Sequence, residues 1–139
     1  MRKWLVAVAL GASWVSDAAL AQAAAPDLKG TWVGTSESIV TGKAEHHVAP
    51  AGKAPLLDNV RFTFAITGQD GHRFWGTISS AKGTEVLTGV VGLDGRTVVA
   101  RDSDGEIEGT LVDADTIQLI YTHGGASTVV AVNTIRRQK

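Results

Sequence analysis

The fold is decided by the stretch "LKGTWVGTSES", residues 28–38, which is the first part of the chain with the alternation of a β-strand. Successive side chains of a strand point to opposite faces, so Trp32 shares its face with Gly34, Ser36 and Ser38. On that face a large indole is followed by small side chains only. This pattern predicts a strand whose inner face is filled at one end and open at the other.

Downstream, from Asn59 onward, short β-prone runs are separated by turn residues at a spacing typical of hairpins. Turn pairs such as Asp70-Gly71 and Asp94-Gly95 tolerate the positive φ values of tight hairpins. Several runs alternate strictly, for example Val60 to Ile66, which predicts one buried face and one solvated face. Together with the first stretch, these runs make eight strands, and no helical period is sustained.

An open meander of eight strands would leave two exposed edges, and closing the sheet on itself removes both. The sequence therefore predicts an all-β domain over residues 28–139, a closed eight-stranded antiparallel up-and-down barrel. Residues 39–58 break the strand rhythm with two prolines and two glycines. They predict one long loop between strands 1 and 2, lying across one mouth, or locally a short helix at residues 55–57.

The N-terminus has the features of a cleavable export signal. Arg2 and Lys3 precede a short apolar run, and Ala19-Leu20-Ala21 supplies the small-x-small pattern of a cleavage site. We therefore expect residues 1–21 to be removed, residues 22–27 to form a flexible arm, and the mature chain to be periplasmic or extracellular.

Composition excludes several partners. The mature chain carries a net charge of about −2, which gives no electrostatic footprint for nucleic acid. No stretch after the signal is long and apolar enough for membrane insertion. The chain has no cysteine, so core packing rather than disulfides must stabilise the fold.

A Gly-x-Trp sequence on the first strand, Gly30-Thr31-Trp32, with a basic residue near the end of the last strand, Arg136 or Arg137, resembles the calycin barrels. These include the lipocalins, the fatty-acid-binding proteins and the avidins, and the Gly-rich hairpins are most similar to the avidin-like members. The resemblance implies that Trp32 is a structural plug at the closed end, with the arginine packed over its ring. Avidin biotin sites are walled by several tryptophans, whereas this mature chain has Trp32 and Trp75 only, so biotin is not the expected ligand.

The small residues beyond Trp32 predict a ligand cavity with hydroxyl groups at its rim. The residues expected to line it are Ser36, Ser38, Phe62, Phe64, Trp75 and Tyr121. In the alternative, the interior is filled, because eight-stranded barrels are only just wide enough for one small ligand. The residues that would fill it are Phe62, Phe64, Phe74, Ile78 and Leu87. An outward Trp75 would instead belong to a surface ladder or an aromatic-basic patch for a protein or glycan.

His46 and His47, in the long loop, are candidates for a transition-metal site completed by His72 or His123. Adjacent side chains of an extended segment point apart, and no second histidine pair has ligand spacing, so we expect no metal. Residues 101–108 resemble a calcium loop, but a loop aligned there lacks carboxylates at its first and last positions. We therefore interpret Asp102-Ser103-Asp104-Gly105 as a hairpin turn between strands 5 and 6, with Glu106 and Glu108 on the solvated face.

No catalytic or cofactor motif is present. The chain lacks a Gly-x-Ser-x-Gly sequence, and its carboxylates fall on turns and outer faces rather than in an acid/base pair. We therefore expect a protein that is not an enzyme and holds no cofactor. The leading hypothesis is binding of a small apolar or amphipathic ligand in a barrel mouth gated by residues 39–58. The alternative is a secreted inhibitor or protein-interaction module that uses the barrel exterior or residues 22–27.

Overall fold

The structure is a computed structural model that describes residues 24–42 and 55–139. The export signal predicted at residues 1–21, and His46 and His47, lie outside the described residues. Within the described ranges the chain forms eight β-strands and no helix. The strands are β1 (Gly30–Gly42), β2 (Leu56–Asp70), β3 (Arg73–Ser80), β4 (Gly83–Val91), β5 (Thr97–Arg101), β6 (Gly105–Asp113), β7 (Thr116–His123) and β8 (Ser127–Arg137).

The predicted closed barrel is confirmed. Each strand pairs antiparallel with its neighbours in chain order, and β1 also pairs with β8. Trp32 lies opposite Phe64 of β2 and Arg137 of β8, so the first strand is bonded on both sides. None of the eight strands is an open edge, and the backbone groups that an edge would expose are used in pairing.

The long loop predicted between strands 1 and 2 is shorter than expected at both ends. Ile39 pairs with Leu57 and Val40 with Leu56, so residues 39–42 belong to β1 and residues 56–58 to β2. The alternation that begins at Trp32 continues to Val40, which is fully buried, while Ile39 faces solvent. The short helix considered at residues 55–57 is therefore wrong, because both leucines are in a strand.

Asx-type turns connect several strands. At the β4–β5 connection the Asp94 carboxylate accepts the backbone N–H groups of Arg96 and Thr97, both at 2.9 Å. Gly95 supplies the positive φ, 69°, that this tight turn requires. The turn prediction made from Asp94-Gly95 is confirmed.

The hydrophobic core occupies one half of the barrel, which we call the base. The base is the end at which β1 begins and β8 ends. Its side chains come from all eight strands and from the segment preceding β1. They include Leu28, Trp32, Ile66, Phe74, Leu87, Val91, Val98, Leu111, Ile117 and Ile135.

Trp32 closes the base. Its side chain is completely buried, and its Nε1–H donates to the carbonyl oxygen of Leu28 at 2.9 Å. The guanidinium of Arg137 lies 4.2 Å from the centre of the indole ring. The structural role predicted for Trp32 and for an arginine of the last strand is therefore present in the fold.

The two candidate arginines behave differently. Arg137 stacks on Trp32 and donates to the carbonyl oxygens of Asp27, Lys29 and Ala114. Arg136 is exposed, and its Nη1 donates to the Thr116 hydroxyl at 3.2 Å. Assigning Arg136 to the plug is wrong, because neighbouring residues of a strand point to opposite faces and only Arg137 has the inward phase of Trp32.

Part of the N-terminal arm is attached to the base. Gln69 receives the Leu28 N–H on its Oε1 at 2.8 Å and donates from Nε2 to the Pro26 carbonyl oxygen at 2.7 Å. Arg137 also holds the Asp27 carbonyl oxygen at 2.7 Å. Two residues of the arm predicted at 22–27, Pro26 and Asp27, are thus hydrogen-bonded to these two side chains.

The unequal roles of the arginines give a matched pair of variants. We expect Arg137→Met to lower the free energy of unfolding by about 2–3 kcal/mol, because three backbone carbonyl oxygens lose a charged donor and the indole loses its stacked cation. We expect Arg136→Met to cost less than about 1 kcal/mol, as for other exposed positions. Urea unfolding of both variants measures the difference, and equal losses would contradict the assignment of Arg137 alone to the plug.

Candidate ligand cavity

The half of the barrel opposite the base is hollow. It encloses a cavity of about 630 Å³ that opens at the end where β1 leads into residues 43–55, which we call the mouth. The wall is mainly apolar, and the side chains that form it include Val60, Phe62, Phe64, Ile78, Ile107, Leu119, Val129 and Ala131. Phe74 and Leu87, which the alternative used to fill the interior, pack in the base instead.

The alternation of β1 produces this space. Ser36 and Ser38 follow Trp32 on the inner face and are too small to meet the opposite wall. Both are buried, and their hydroxyls donate to the carbonyl oxygens of Val60 at 3.2 Å and Asp58 at 3.0 Å. Each hydroxyl oxygen thus keeps lone pairs that can accept a hydrogen bond from the cavity.

Five of the six residues that the sequence placed at a ligand site line this cavity together. They are Ser36, Ser38, Phe62, Phe64 and Tyr121. The Tyr121 ring lies against the backbone of Gly105, where an added Cβ would come within 2.4 Å of Cζ, so the close approach requires a glycine. Their contact with a ligand stays a prediction.

Trp75 does not line the cavity, and that prediction is wrong. Its side chain is 47% exposed on the outer face, where it lies over Gly68 of β2. The inner face of β3 is formed instead by Phe74 and Ile78, which have the opposite phase. Arg73 shares the outer face with Trp75 and forms an ion pair with Asp70, an arrangement common to both outward alternatives, the ladder and the aromatic-basic patch.

The floor of the cavity contains a polar side chain that sequence reasoning missed. Asn133 on β8 is opposite Ser36 in the register and is only 8% exposed. Its Oδ1 is buried without a hydrogen-bond partner. The amide lies over Gly34, where an added Cβ would be 2.4 Å from Oδ1, so the glycine makes room for it.

Three carboxylates lie at the mouth. Glu85 near the start of β4, and Asp102 and Asp104 in the β5–β6 turn, all contribute to the cavity lining. Asp102 Oδ1 accepts the backbone N–H of Asp104 at 3.0 Å and of Gly105 at 2.7 Å, and Glu85 accepts from the Ser103 hydroxyl. The turn predicted at Asp102 to Gly105 connects β5 and β6 as expected, and its acids lie at the cavity.

These acids affect the ionisation of their neighbours. Burial raises the pKa of Asp102 above 3.8, with nearby Glu85 and Asp104 adding to the effect, although two backbone N–H groups oppose it. Burial also raises the pKa of the Tyr121 phenol, and the same three carboxylates raise it further. The mouth therefore has a negative potential that reaches the cavity wall.

Asp102 and Asp94 form a natural comparison, since both carboxylates organise turns. Hydrogen bonds from Thr97 and Arg96 lower the pKa of solvent-exposed Asp94 to about 2, whereas burial raises the pKa of Asp102. On acidification we expect Asp102 to protonate first. The pKa of Asp102 is higher in the folded state, so its protonation favours folding as the pH falls. The pKa of Asp94 is lower in the folded state, so this carboxylate stabilises the fold above pH 3.8, and the contribution is lost as the pH falls toward 2. Carboxyl-carbon NMR titration tests this order, which a lower pKa for Asp102 would contradict.

No group of three or more His, Cys, Asp or Glu among the described residues is placed to hold a metal ion. His72 lies in the β2–β3 turn at the base, with Nδ1 3.0 Å from the Val91 carbonyl oxygen, whereas His123 lies at the mouth. These two partners proposed for His46 and His47 are thus at opposite ends of the barrel. In the same ranges, no helix has the length and apolar character needed to cross a membrane.

Comparison with known proteins identifies a similar solved structure. No family model matches the chain, and no curated protein matches it. Among solved structures, the chain is similar to the S-type phycobiliprotein lyase CPES from Guillardia theta, with 15% sequence identity and a TM-score of 0.46. The similarity covers 81% of this chain and 89% of that chain.

Proposed function

We propose that this protein binds a small apolar or amphipathic molecule in the mouth half of its barrel and does no chemistry on it. The observation that carries the proposal is the cavity of about 630 Å³ with a predominantly apolar wall above a closed base. Its volume is within the range of small-molecule sites. An inhibitor or interaction module needs no interior space, so the cavity favours ligand binding over that alternative.

The division of the barrel into two halves supports this function. The base supplies the packed core and the Trp32–Arg137 stack, so the mouth half does not have to be filled for the barrel to be stable. An apolar ligand that enters removes its own surface and that of the wall from water, which contributes about 25 cal/mol for each Å² buried. Each strand of the barrel is hydrogen-bonded to a neighbouring strand on both sides, so the cavity wall is already formed before the ligand binds.

We also propose that the protein is exported and that its barrel is of the calycin type. Export is supported by the basic, apolar and small-x-small segments of residues 1–21. The calycin assignment is supported by the buried Trp32 of the Gly-x-Trp sequence and by Arg137 of the last strand over its ring.

The test is direct binding of a neutral fluorescent apolar probe. We expect Nile red to bind the purified protein with one site, a blue-shifted emission and saturation at one equivalent. Native mass spectrometry of freshly purified protein is expected to show a displaceable small molecule or the one-to-one probe complex. A linear, non-saturating fluorescence response with no probe complex in the mass spectrum would refute ligand binding.

A further inference from the structure

The cavity floor contains an unused hydrogen-bonding group. Asn133 is more than nine-tenths buried, contributes to the cavity lining, and leaves its Oδ1 without a partner. Polar side chains in this position normally have a partner, and leaving one without destabilises the fold. The oxygen lies toward Gly34, and rotation about the Cβ–Cγ bond, a soft torsion in asparagine, is needed to turn it toward the cavity. With that rotation the amide presents an acceptor at the inner end of the site.

The other end of the cavity offers acceptors with negative charge. Glu85 near the β3–β4 connection and Asp102 and Asp104 in the β5–β6 connection line the mouth. Lys82 also lines it, and its ammonium is paired with Asp58 at 2.9 Å. Arg101, next to the turn, pairs with Glu106 on the outer face. The charges of Lys82 and Asp58 offset one another, as do those of Arg101 and Glu106, so the three mouth carboxylates remain in excess.

Both ends of an otherwise apolar cavity therefore present hydrogen-bond acceptors, and those at the outer end are negatively charged. A matching ligand has a hydrogen-bond donor at each end and a positive charge on the outer one. We propose that the ligand is an amphipathic amine. Its apolar body fills the cavity, its charged nitrogen lies among Glu85, Asp102 and Asp104, and its opposite end donates a hydrogen bond to Asn133. This inference rests on the proposed function and adds the ligand class.

The charge of the ligand head group should therefore decide its affinity at this mouth. Opposite charges attract and like charges repel near a protein surface, so an ammonium and a carboxylate on the same apolar chain should differ in affinity by a large factor. Fatty acids are excluded by this arrangement, since their carboxylate would lie among three others. Along β1, the seven residues from Ser36 to Gly42 span roughly 20 Å of a tilted strand, which a decyl chain with its head group matches.

The test is displacement of Nile red by decylamine, decanol and decanoate, which share a chain and differ in head group. We expect decylamine to displace the probe at a concentration at least about tenfold lower than decanoate does, with decanol between them. The combined variant Glu85→Gln, Asp102→Asn and Asp104→Asn should remove this order. Glu108→Gln, on the outer face of β6, is the control and should preserve it.

A second comparison tests the floor. Amino-decanol, with an amine at one end and a hydroxyl at the other, should gain on decylamine only where Asn133 is present. In Asn133→Leu we expect the affinity of amino-decanol relative to decylamine to fall by roughly tenfold, while Nile red still binds. An unchanged ratio would overturn the role of Asn133.

The outcomes separate the two proposals. If Nile red does not bind, the proposed ligand-binding function fails, and the amine class fails with it. If Nile red binds but the three decyl compounds displace it equally, or decanoate displaces it best, ligand binding stands and the amine class is wrong. If the amine preference persists in the combined mouth variant, its recognition by the mouth carboxylates is wrong.

Discussion

Replacing Trp32 with alanine is expected to lower the free energy of unfolding by about 3–5 kcal/mol, the range for large aromatic side chains in packed cores. The indole is completely buried and packs with the side chains that fill the base. Its loss also leaves the Leu28 carbonyl oxygen without its donor and Arg137 without the ring beneath it. Such a loss is a large fraction of the stability of a domain of this size.

Trp75→Ala is the matched control because it removes the same side chain from the outer face. Trp75 is 47% exposed and lies over Gly68, so we expect a loss of about 1 kcal/mol or less. Equilibrium urea unfolding followed by circular dichroism measures both variants without relying on tryptophan fluorescence. Similar losses in the two variants would show that the base is not what stabilises the barrel.

Trp32→Phe separates the contribution of the packed aromatic ring from that of the hydrogen bond made by its N–H group. Phenylalanine keeps an aromatic surface for Arg137 but has no donor for the Leu28 carbonyl oxygen, which is held at 2.9 Å by the indole. We expect Trp32→Phe to lower the free energy of unfolding by about 1–2 kcal/mol, less than Trp32→Ala does. A loss as large as that of Trp32→Ala would assign the effect to the hydrogen bond rather than to the ring.

The barrel and its plug could be predicted because they depend on local pattern and on closure. Alternation in β1 assigns Trp32, Ser36 and Ser38 to one face, and short hairpins leave a meander that must close. Five cavity-lining residues followed from the same rule. The pattern also extended further than the loop prediction allowed, since Val40 keeps the inward phase of Trp32 despite the turn-like composition that follows it.

Trp75 was misplaced because β3 has an aromatic residue on each face. In "RFWGTISS" either Phe74 or Trp75 can point inward, and alternation alone does not choose. The choice is made by the partner strand, whose register shifts between Ile66 and Gly68. Gly68 leaves room for the Trp75 ring on the outside, a contact between strands that no local pattern records.

The polar ends of the cavity were missed for different reasons. Asn133 does have a sequence signal, because it shares the phase of Val129, Ala131 and Ile135, which are all buried. A polar residue in such a series is either a hydrogen-bonded residue of the core or part of a ligand-binding site. Asp102 and Asp104 were correctly assigned to a turn, but a turn's position relative to the cavity is set by closure of the whole sheet.

The largest effect on function is expected from filling the cavity. Ala131 of β8 lies opposite Ser38 on β1 and Tyr121 on β7, at the middle of the wall. In Ala131→Trp an indole projects between these two residues and occupies the space that a ligand needs. We expect the dissociation constant for Nile red to rise at least about a hundredfold, which corresponds to about 2.7 kcal/mol of lost binding.

The same substitution should leave the barrel folded. The indole enters existing space rather than a packed region, so the cost of overpacking, about 1–3 kcal/mol, does not apply and burial of its apolar surface offsets the loss of rotamer freedom. Val132→Trp introduces the same indole one residue later on the outer face, at a position 53% exposed, and should retain full binding. Unfolding curves of both variants establish that any loss of binding is not a loss of fold. Since the two variants place the indole on opposite faces of β8, wild-type affinity in Ala131→Trp would place the probe outside the barrel.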